Sequence, residues 1–229
     1  MPISQRGKLA GMVRVILRFF ACMLAMAVAS GAAPTVRILI AYHSRTGNTE
    51  KMAAAVREGA ASVAGVEIVL RKVAEVSADD IIKADGIVLG SPVEWGNLSA
   101  EAKRFIDRVG EALGKAGATY GEGRTAAVFC SGGSPSNGQE MARMSAIAAF
   151  LAMRFVIVGG VNEEGFGSLG PQAVTGGKPA GVHGGELADA RRFGERFARV
   201  TREWRAAGAR EGSRYVGRRH AEEPKSALH

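Results

Sequence analysis

Cysteine is nearly missing from this chain: two in 229 residues, Cys22 and Cys130. Neither belongs to a Cys-x-x-Cys pair, which argues against a dithiol or cysteine-based zinc site. Loss of the N-terminal segment that holds Cys22 would leave no intrachain disulfide. The four histidines (His43, His183, His220, His229) lack metal-ligand spacing, so no metal is expected. Aromatics make up only 6%, while Ala and Gly are plentiful, so helices are expected to pack closely. Two nucleotide motifs are also missing. There is no Gly-x-x-x-x-Gly-Lys-Ser/Thr loop for a triphosphate and no Gly-x-Gly-x-x-Gly dinucleotide turn. Residues 1–18 contain no acid and carry +4; residues 202–229 carry +3. That leaves +1 of the total +8 for everything between. The central part is therefore nearly neutral, and a nucleic-acid-binding face is not expected.

What is present begins with an N-terminal apolar stretch. Arg14 and Arg18 precede Phe19 to Ala29, and small residues Ser30 to Ala33 follow. A basic region, a short apolar core and small residues describe a secretory signal peptide. Residues 1–34 are thus read as a signal peptide or N-terminal apolar segment, which implies a periplasmic or secreted protein. An uncleaved membrane anchor is the second reading, and the only one that brings a membrane into play. A mis-assigned start codon, with a cytoplasmic product, is the third.

From residue 35 onward, β and α patterns alternate. Strands are expected at Val36–Tyr42, Val66–Leu70, Gly86–Gly90, Thr125–Cys130 and Phe155–Gly159. Helices are expected from Glu50, over Ser77–Ile82, Ala100–Val109, Gln139–Met153 and Glu186–Arg202. The apolar third strand suits a parallel sheet covered on both faces. The pattern predicts an α/β fold: a doubly wound, five-stranded parallel sheet with helices on both faces, within residues 35–203. The Gly/Pro-rich segment 159–185 reads as a long surface loop. Residues 204–229 read as a disordered basic tail.

Three loops follow the carboxyl ends of the first, third and fourth strands, where such sheets bind ligands. The first is Ser44-Arg45-Thr46-Gly47-Asn48-Thr49. A strand feeding a tight polar turn into a helix aims unpaired N–H groups, and the positive dipole end, at one spot. With three hydroxyls and no lysine, it suits a monophosphate. An ordinary N-cap by Asn48 or Thr49 is the plain alternative. Arg45 either meets the phosphate or is solvated. The second loop holds Ser91, Pro92, Val93, Glu94, Trp95 and Gly96; Pro92 stiffens it and Trp95 offers a flat apolar face, unless that ring only covers a core edge. The third holds Ser131, Gly132, Gly133 and Ser134, rich in backbone donors. It is otherwise a plain flexible connection. Together, a phosphate clamp, a stacking face and amide-rich walls fit a flat heteroaromatic ring on a phosphorylated chain, as in FMN.

Over residues 36–203 the chain resembles the flavodoxin-like superfamily and, within it, the WrbA-type NAD(P)H:quinone oxidoreductases. Ser44-Arg45-Thr46-Gly47-Asn48-Thr49 is similar to the superfamily's FMN phosphate loop. Gly90-Ser91-Pro92-Val93-Glu94-Trp95-Gly96-Asn97-Leu98-Ser99 is similar to the WrbA segment Gly-Thr-Pro-Thr-Arg-Phe-Gly-Asn-Met-Ser. Phe129-Cys130-Ser131-Gly132-Gly133, with Gly138-Gln139-Glu140, is similar to its Gly-rich third loop, and Gly176-Gly177 before Glu186-Leu187 also matches in style. The resemblance implies a flavodoxin-like fold. It implies FMN phosphate on Ser44 and Thr46–Thr49, the isoalloxazine against Ser91, Pro92 and Val93 with Glu94-Trp95-Gly96 at its edge, and Ser131–Ser134 opposite. It also implies NAD(P)H as co-substrate, a small quinone or similar acceptor, and a homo-oligomer, dimer or tetramer. The chain departs from the pattern at Glu111–Lys115 and near Ala152-Met153-Arg154, where the family carries an aromatic-rich connection and a histidine.

Two functions follow. The first is an FMN-dependent oxidoreductase passing two electrons from NAD(P)H to a quinone-like acceptor, with no catalytic side chain required because the flavin carries the chemistry. The second is a flavodoxin-type electron carrier, although carriers of that kind usually present a strongly acidic face. A third, non-catalytic possibility is the same fold without its cofactor.

Overall fold

The computed structural model describes residues 35–160, 167–176 and 180–215, with side chains through residue 208. All lie in the unit Thr35–His229. The expected signal segment, 1–34, lies outside the described residues, as do Gly177 and 216–229 of the expected tail. No helix among the described residues is long and apolar enough to cross a membrane.

The elements, in order, are β1 (Val36–Tyr42), α1 (Asn48–Ala61), β2 (Val66–Lys72), a 3-10 turn (Val73–Glu75), α2 (Ala78–Lys83), β3 (Gly86–Glu94), β4 (Asn97–Leu98), α3 (Ala100–Lys115), β5 (Thr125–Gly132), α4 (Gln139–Ala152), β6 (Val156–Ile157), β7 (Gln172–Val174) and α5 (Gly184–Tyr215). The sheet order is β2-β1-β3-β5-β6, and every pairing along it is parallel. β4 folds back antiparallel on the end of β3.

Alternation along β1 sorts the core into two layers. Ile38, Ile40 and Tyr42 pack with Met52 and Val56 of α1 and with Phe193 and Phe197 of α5. Leu39 and Ala41 face the other way, into a layer with Ile81, Phe105, Val109 and Phe150 from α2, α3 and α4. Two-sided burial is why β1, β3 and β5 read as apolar runs. On the first face, α1 and α5 meet backbone to backbone. A Cβ on Gly59 would lie 1.8 Å from the Arg191 carbonyl oxygen, and one on Gly194 would lie 2.0 Å from that of Val56.

β3 and β5 run past their expected ends, so Ser91–Glu94 and Ser131-Gly132, expected in loops, are the last residues of strands. The structure departs further from the sequence reading at two places. The fifth strand is split. β6 pairs only with Thr125 and Ala126, at the start of β5. The chain leaves the sheet at Gly159, and β7 returns to pair with Cys130–Gly132, at its end. Part of the expected surface loop 159–185 is therefore sheet. Pro171, lacking an N–H, sits just before β7, and its carbonyl accepts the Cys130 amide at 3.2 Å. Secondly, α5 runs past Arg202 to Tyr215, so the first part of the expected disordered tail is helix. Its arginines find partners: Arg202 donates to the Ala64 carbonyl at 3.0 Å, and Arg205 pairs with Asp85 at 2.8 Å. The buried hydroxyls of Thr125 and Thr201 share a 2.7 Å hydrogen bond that ties α5 to β5.

Candidate functional site

The loop between β1 and α1 is built by its glycine and its first serine. Gly47 occupies the N-cap position at φ +84°, a left-handed conformation that glycine adopts without a Cβ penalty. Its carbonyl accepts the Lys51 amide at 3.0 Å. The Ser44 hydroxyl accepts the Glu50 amide at 3.3 Å. Neither Asn48 nor Thr49 caps the helix; Asn48 Nδ2 instead donates to Thr46 Oγ1 at 3.2 Å. Among the described residues, the amides of Arg45 through Thr49 donate to no backbone carbonyl. They stay available at the positive end of α1.

The second loop hangs on Ser91 and Ser99. Buried Ser91 Oγ accepts the Ser99 amide at 3.1 Å and donates to the Pro92 carbonyl at 2.8 Å. Ser99 Oγ in turn caps α3 by accepting the Ala102 amide at 3.2 Å. The tip, Trp95-Gly96, takes positive φ at both residues. The Trp95 side chain is fully solvent-exposed and covers no core edge.

The third loop is held by Gln139, whose side chain is fully buried. Its Nε2 donates to the Ser134 carbonyl at 2.6 Å, and its Oε1 accepts the Asn137 amide at 2.9 Å. Buried Arg143 braces Gln139 from behind. It donates to the Gln139 carbonyl at 3.2 Å, to Gln172 Oε1 at 2.6 Å and to the Gly170 carbonyl. Gly138 backs against Gly96: a Cβ there would lie 2.4 Å from the Gly96 Cα, so the second and third loops touch. The first and third are tied by a 2.8 Å hydrogen bond between the Thr49 and Ser131 hydroxyls.

The three loops converge on one cleft of about 230 Å³, lined by Arg45, Thr46, Asn48, Pro92, Val93, Glu94, Ser131, Gly132, Gly133 and Thr175. Nine of these are among the sixteen residues expected from the sequence. Ser44, Gly47, Thr49, Ser91, Gly96 and Ser134 stand behind it or beside it, shaping the loops, and Trp95 projects into solvent. Thr175 was missing from the sequence reading. It follows β7, and both its amide (2.8 Å) and its hydroxyl (3.1 Å) donate to the Gly132 carbonyl. The nearby Gly176-Gly177 likeness was the one signal pointing at it.

Burial pushes the Cys130 thiol, within β5, up to about 12, leaving it protonated and inert. Tyr42 is pushed up to about 12 as well, first by burial and then by its 2.7 Å hydrogen bond to Glu50. At the rim, Arg45 pairs with Glu94 at 3.5 Å and His43 with Glu101 at 3.5 Å. A larger groove, about 630 Å³, runs between α3 and α4 past Ile106, Gly110, Gly114 and Met153. None of the expected site residues lines it.

Residues 40–165 match the family model described as Flavodoxin. The chain belongs to the flavodoxin family. It is 37% identical over 165 residues to a protein named Flavodoxin from Aquifex aeolicus, covering 71% of this chain and 85% of that one. It is 31% identical over 207 residues to a protein named NAD(P)H dehydrogenase (quinone) from Solidesulfovibrio magneticus, covering 75% and 100%. In three dimensions it is similar to a flavodoxin, WrbA-like protein from Agrobacterium tumefaciens, with a TM-score of 0.60 at 23% identity over 73% of this chain and 98% of that one. This flavodoxin-family chain thus has the α/β architecture expected from its sequence. The match spans all three loops and the start of the split in the fifth strand.

Proposed function

We propose that this protein is an FMN-dependent oxidoreductase that passes two electrons from NAD(P)H to a quinone-like acceptor. The observation that carries this reading is the meeting of the three strand-end loops on one cleft, with free helix-head amides on one side and Pro92, Val93, Gly132 and Gly133 on the others. The donor set fits FMN. The amides of Thr46 to Thr49 and the Thr46 and Asn48 side chains would hold the phosphate. Pro92 and Val93 would meet one side of the flat ring system, and the Gly132-Gly133 backbone the other. A Cβ on Gly133 would meet open space, so its absence lets the backbone come close to a ligand, whereas Gly132 makes room for the Gln139 side chain. The slot is smaller than a typical ligand pocket of about 300 Å³ or more. It suits a molecule whose reactive edge stays open to a second reactant.

Bound FMN would supply the redox chemistry itself. The protein's part is to bind, orient and tune. Gln139 and Arg143 anchor the third loop, and Ser91 and Ser99 anchor the second. The relatives named NAD(P)H dehydrogenase (quinone) support the enzyme. The relative named Flavodoxin supports a second reading, an electron carrier.

The test is titration of the purified chain with FMN, followed by steady-state assay. We expect a bound-flavin spectrum, and NAD(P)H oxidation that depends on an added quinone. Replacing Thr46 and Asn48 together with Ala should weaken FMN binding at least tenfold while leaving riboflavin binding within twofold. A chain that stays colourless with FMN overturns both readings. Flavin binding without quinone-dependent NAD(P)H oxidation selects the carrier.

The exposed Trp95 supports a homo-oligomer in which a neighbouring subunit covers the cleft's edge. The apolar N-terminal segment supports export to the periplasm or medium.

A further inference from the structure

Three rim residues come from three different elements. His43 directly follows β1, Glu94 ends β3, and Glu101 is the second residue of α3. Their ligand atoms all lie within 4.8 Å of one another. All three are partly exposed, so a hydrated ion can reach them. We propose that His43, Glu94 and Glu101 form a binding site for a divalent late first-row cation such as Zn2+.

One imidazole and two carboxylates make a nitrogen–oxygen donor set of the kind these ions take, whereas an imidazole disfavours Ca2+ and Mg2+. Zn–N and Zn–O bonds of about 2.0–2.2 Å put tetrahedral ligand atoms about 3.3 Å apart. His43 Nε2 and Glu101 Oε2 are already 3.5 Å apart. A Glu94 carboxylate oxygen, within 4.8 Å of both, would complete a three-ligand face, leaving a fourth position for water.

The surroundings orient the carboxylates. Arg104 donates to Glu101 Oε1 at 3.2 Å, which leaves Oε2 turned to His43. Arg45 lies 3.5 Å from Glu94 Oε1. Hydrogen bonds to the outer atoms of ligating groups are the usual second layer of a metal site. The two guanidinium charges oppose a cation, so the site should bind reversibly rather than permanently.

Glu94 also lines the cleft, but the cation site does not require bound FMN, and its test uses no flavin. Full-length protein stripped with a chelator is titrated with Co2+, followed by visible absorbance, and with Zn2+, followed by calorimetry. The expected result is one Zn2+ site. His43→Gln and Glu101→Gln should each weaken it at least tenfold with unchanged melting temperature. The double variant His220→Ala/His229→Ala should keep it. If the wild-type chain binds no Zn2+, or if both rim variants bind it as the wild type does, the site does not exist. Ca2+ binding as tight as Zn2+ would also overturn it, because the imidazole would then play no part.

Discussion

Tyr42 on β1 and Cys130 on β5 are two buried weak acids of one sheet. In the folded chain both lose their protons only near about 12. In the unfolded chain Cys ionises near 8.5 and Tyr near 10. The unfolded state therefore releases protons first as pH rises, and folding stability drains away from about pH 9 upward. Below that range the contribution is intact. Melting temperature measured from pH 8 to 11 should fall steeply in the wild type. Cys130→Ala should lower stability at pH 7 and make that fall shallower. At the acid end Asp80 acts in the opposite sense. Burial alone would raise its carboxyl, but the Ser77 hydrogen bonds and the charges of Arg71 and Arg37 outweigh it and hold the group below its ordinary range. Its contribution is present above the unfolded value and lost as pH drops through the folded one.

Among the elements, α1 and α5 depend on two glycines that let their backbones touch. Gly194→Ala puts a methyl 2.0 Å from a backbone oxygen that cannot swing aside. Overpacking should outweigh the helix-propensity gain of alanine, for a net loss of about 2 kcal/mol. Chemical denaturation with an unchanged m-value would register it. The elements also show what the sequence exposed. β1, β3 and β5 were legible because burial on both faces writes a continuous apolar run. The turn Ser44–Thr49 was legible because Gly47 and its hydroxyl neighbours have few other uses. β7 was not: three residues, Gln172-Ala173-Val174, after a proline and among glycines, carry no periodicity. Its place is set by pairing with Cys130–Gly132, more than forty positions upstream. Thr175 was missed for the same reason. The end of α5, beyond Arg202, was missed because Arg205 reads as the start of a solvated charge run until Asp85 comes beside it. The rim trio of His43, Glu94 and Glu101 was likewise invisible, since the fold and not the spacing assembles it.

At the scale of the whole molecule, a ligand that binds only the folded chain stabilises it by about 2.7 kcal/mol at 100 times its dissociation constant. For a domain of this size that is a rise in melting temperature of about 5–10 °C. FMN at such excess should produce it in a thermal melt, and riboflavin less at equal concentration, since it lacks the phosphate. Equal shifts from the two would remove the helix-head amides from the binding account. The broken fifth strand has a further effect. An unbroken strand there would offer a long ladder of unpaired amides and carbonyls to any passing extended chain. With β6 only two residues long and β7 only three, that flank is too fragmentary to template another strand. Growth of the sheet by recruiting a foreign segment is left to the opposite border, where β2 carries Glu67, Arg71 and Lys72 as charged deterrents.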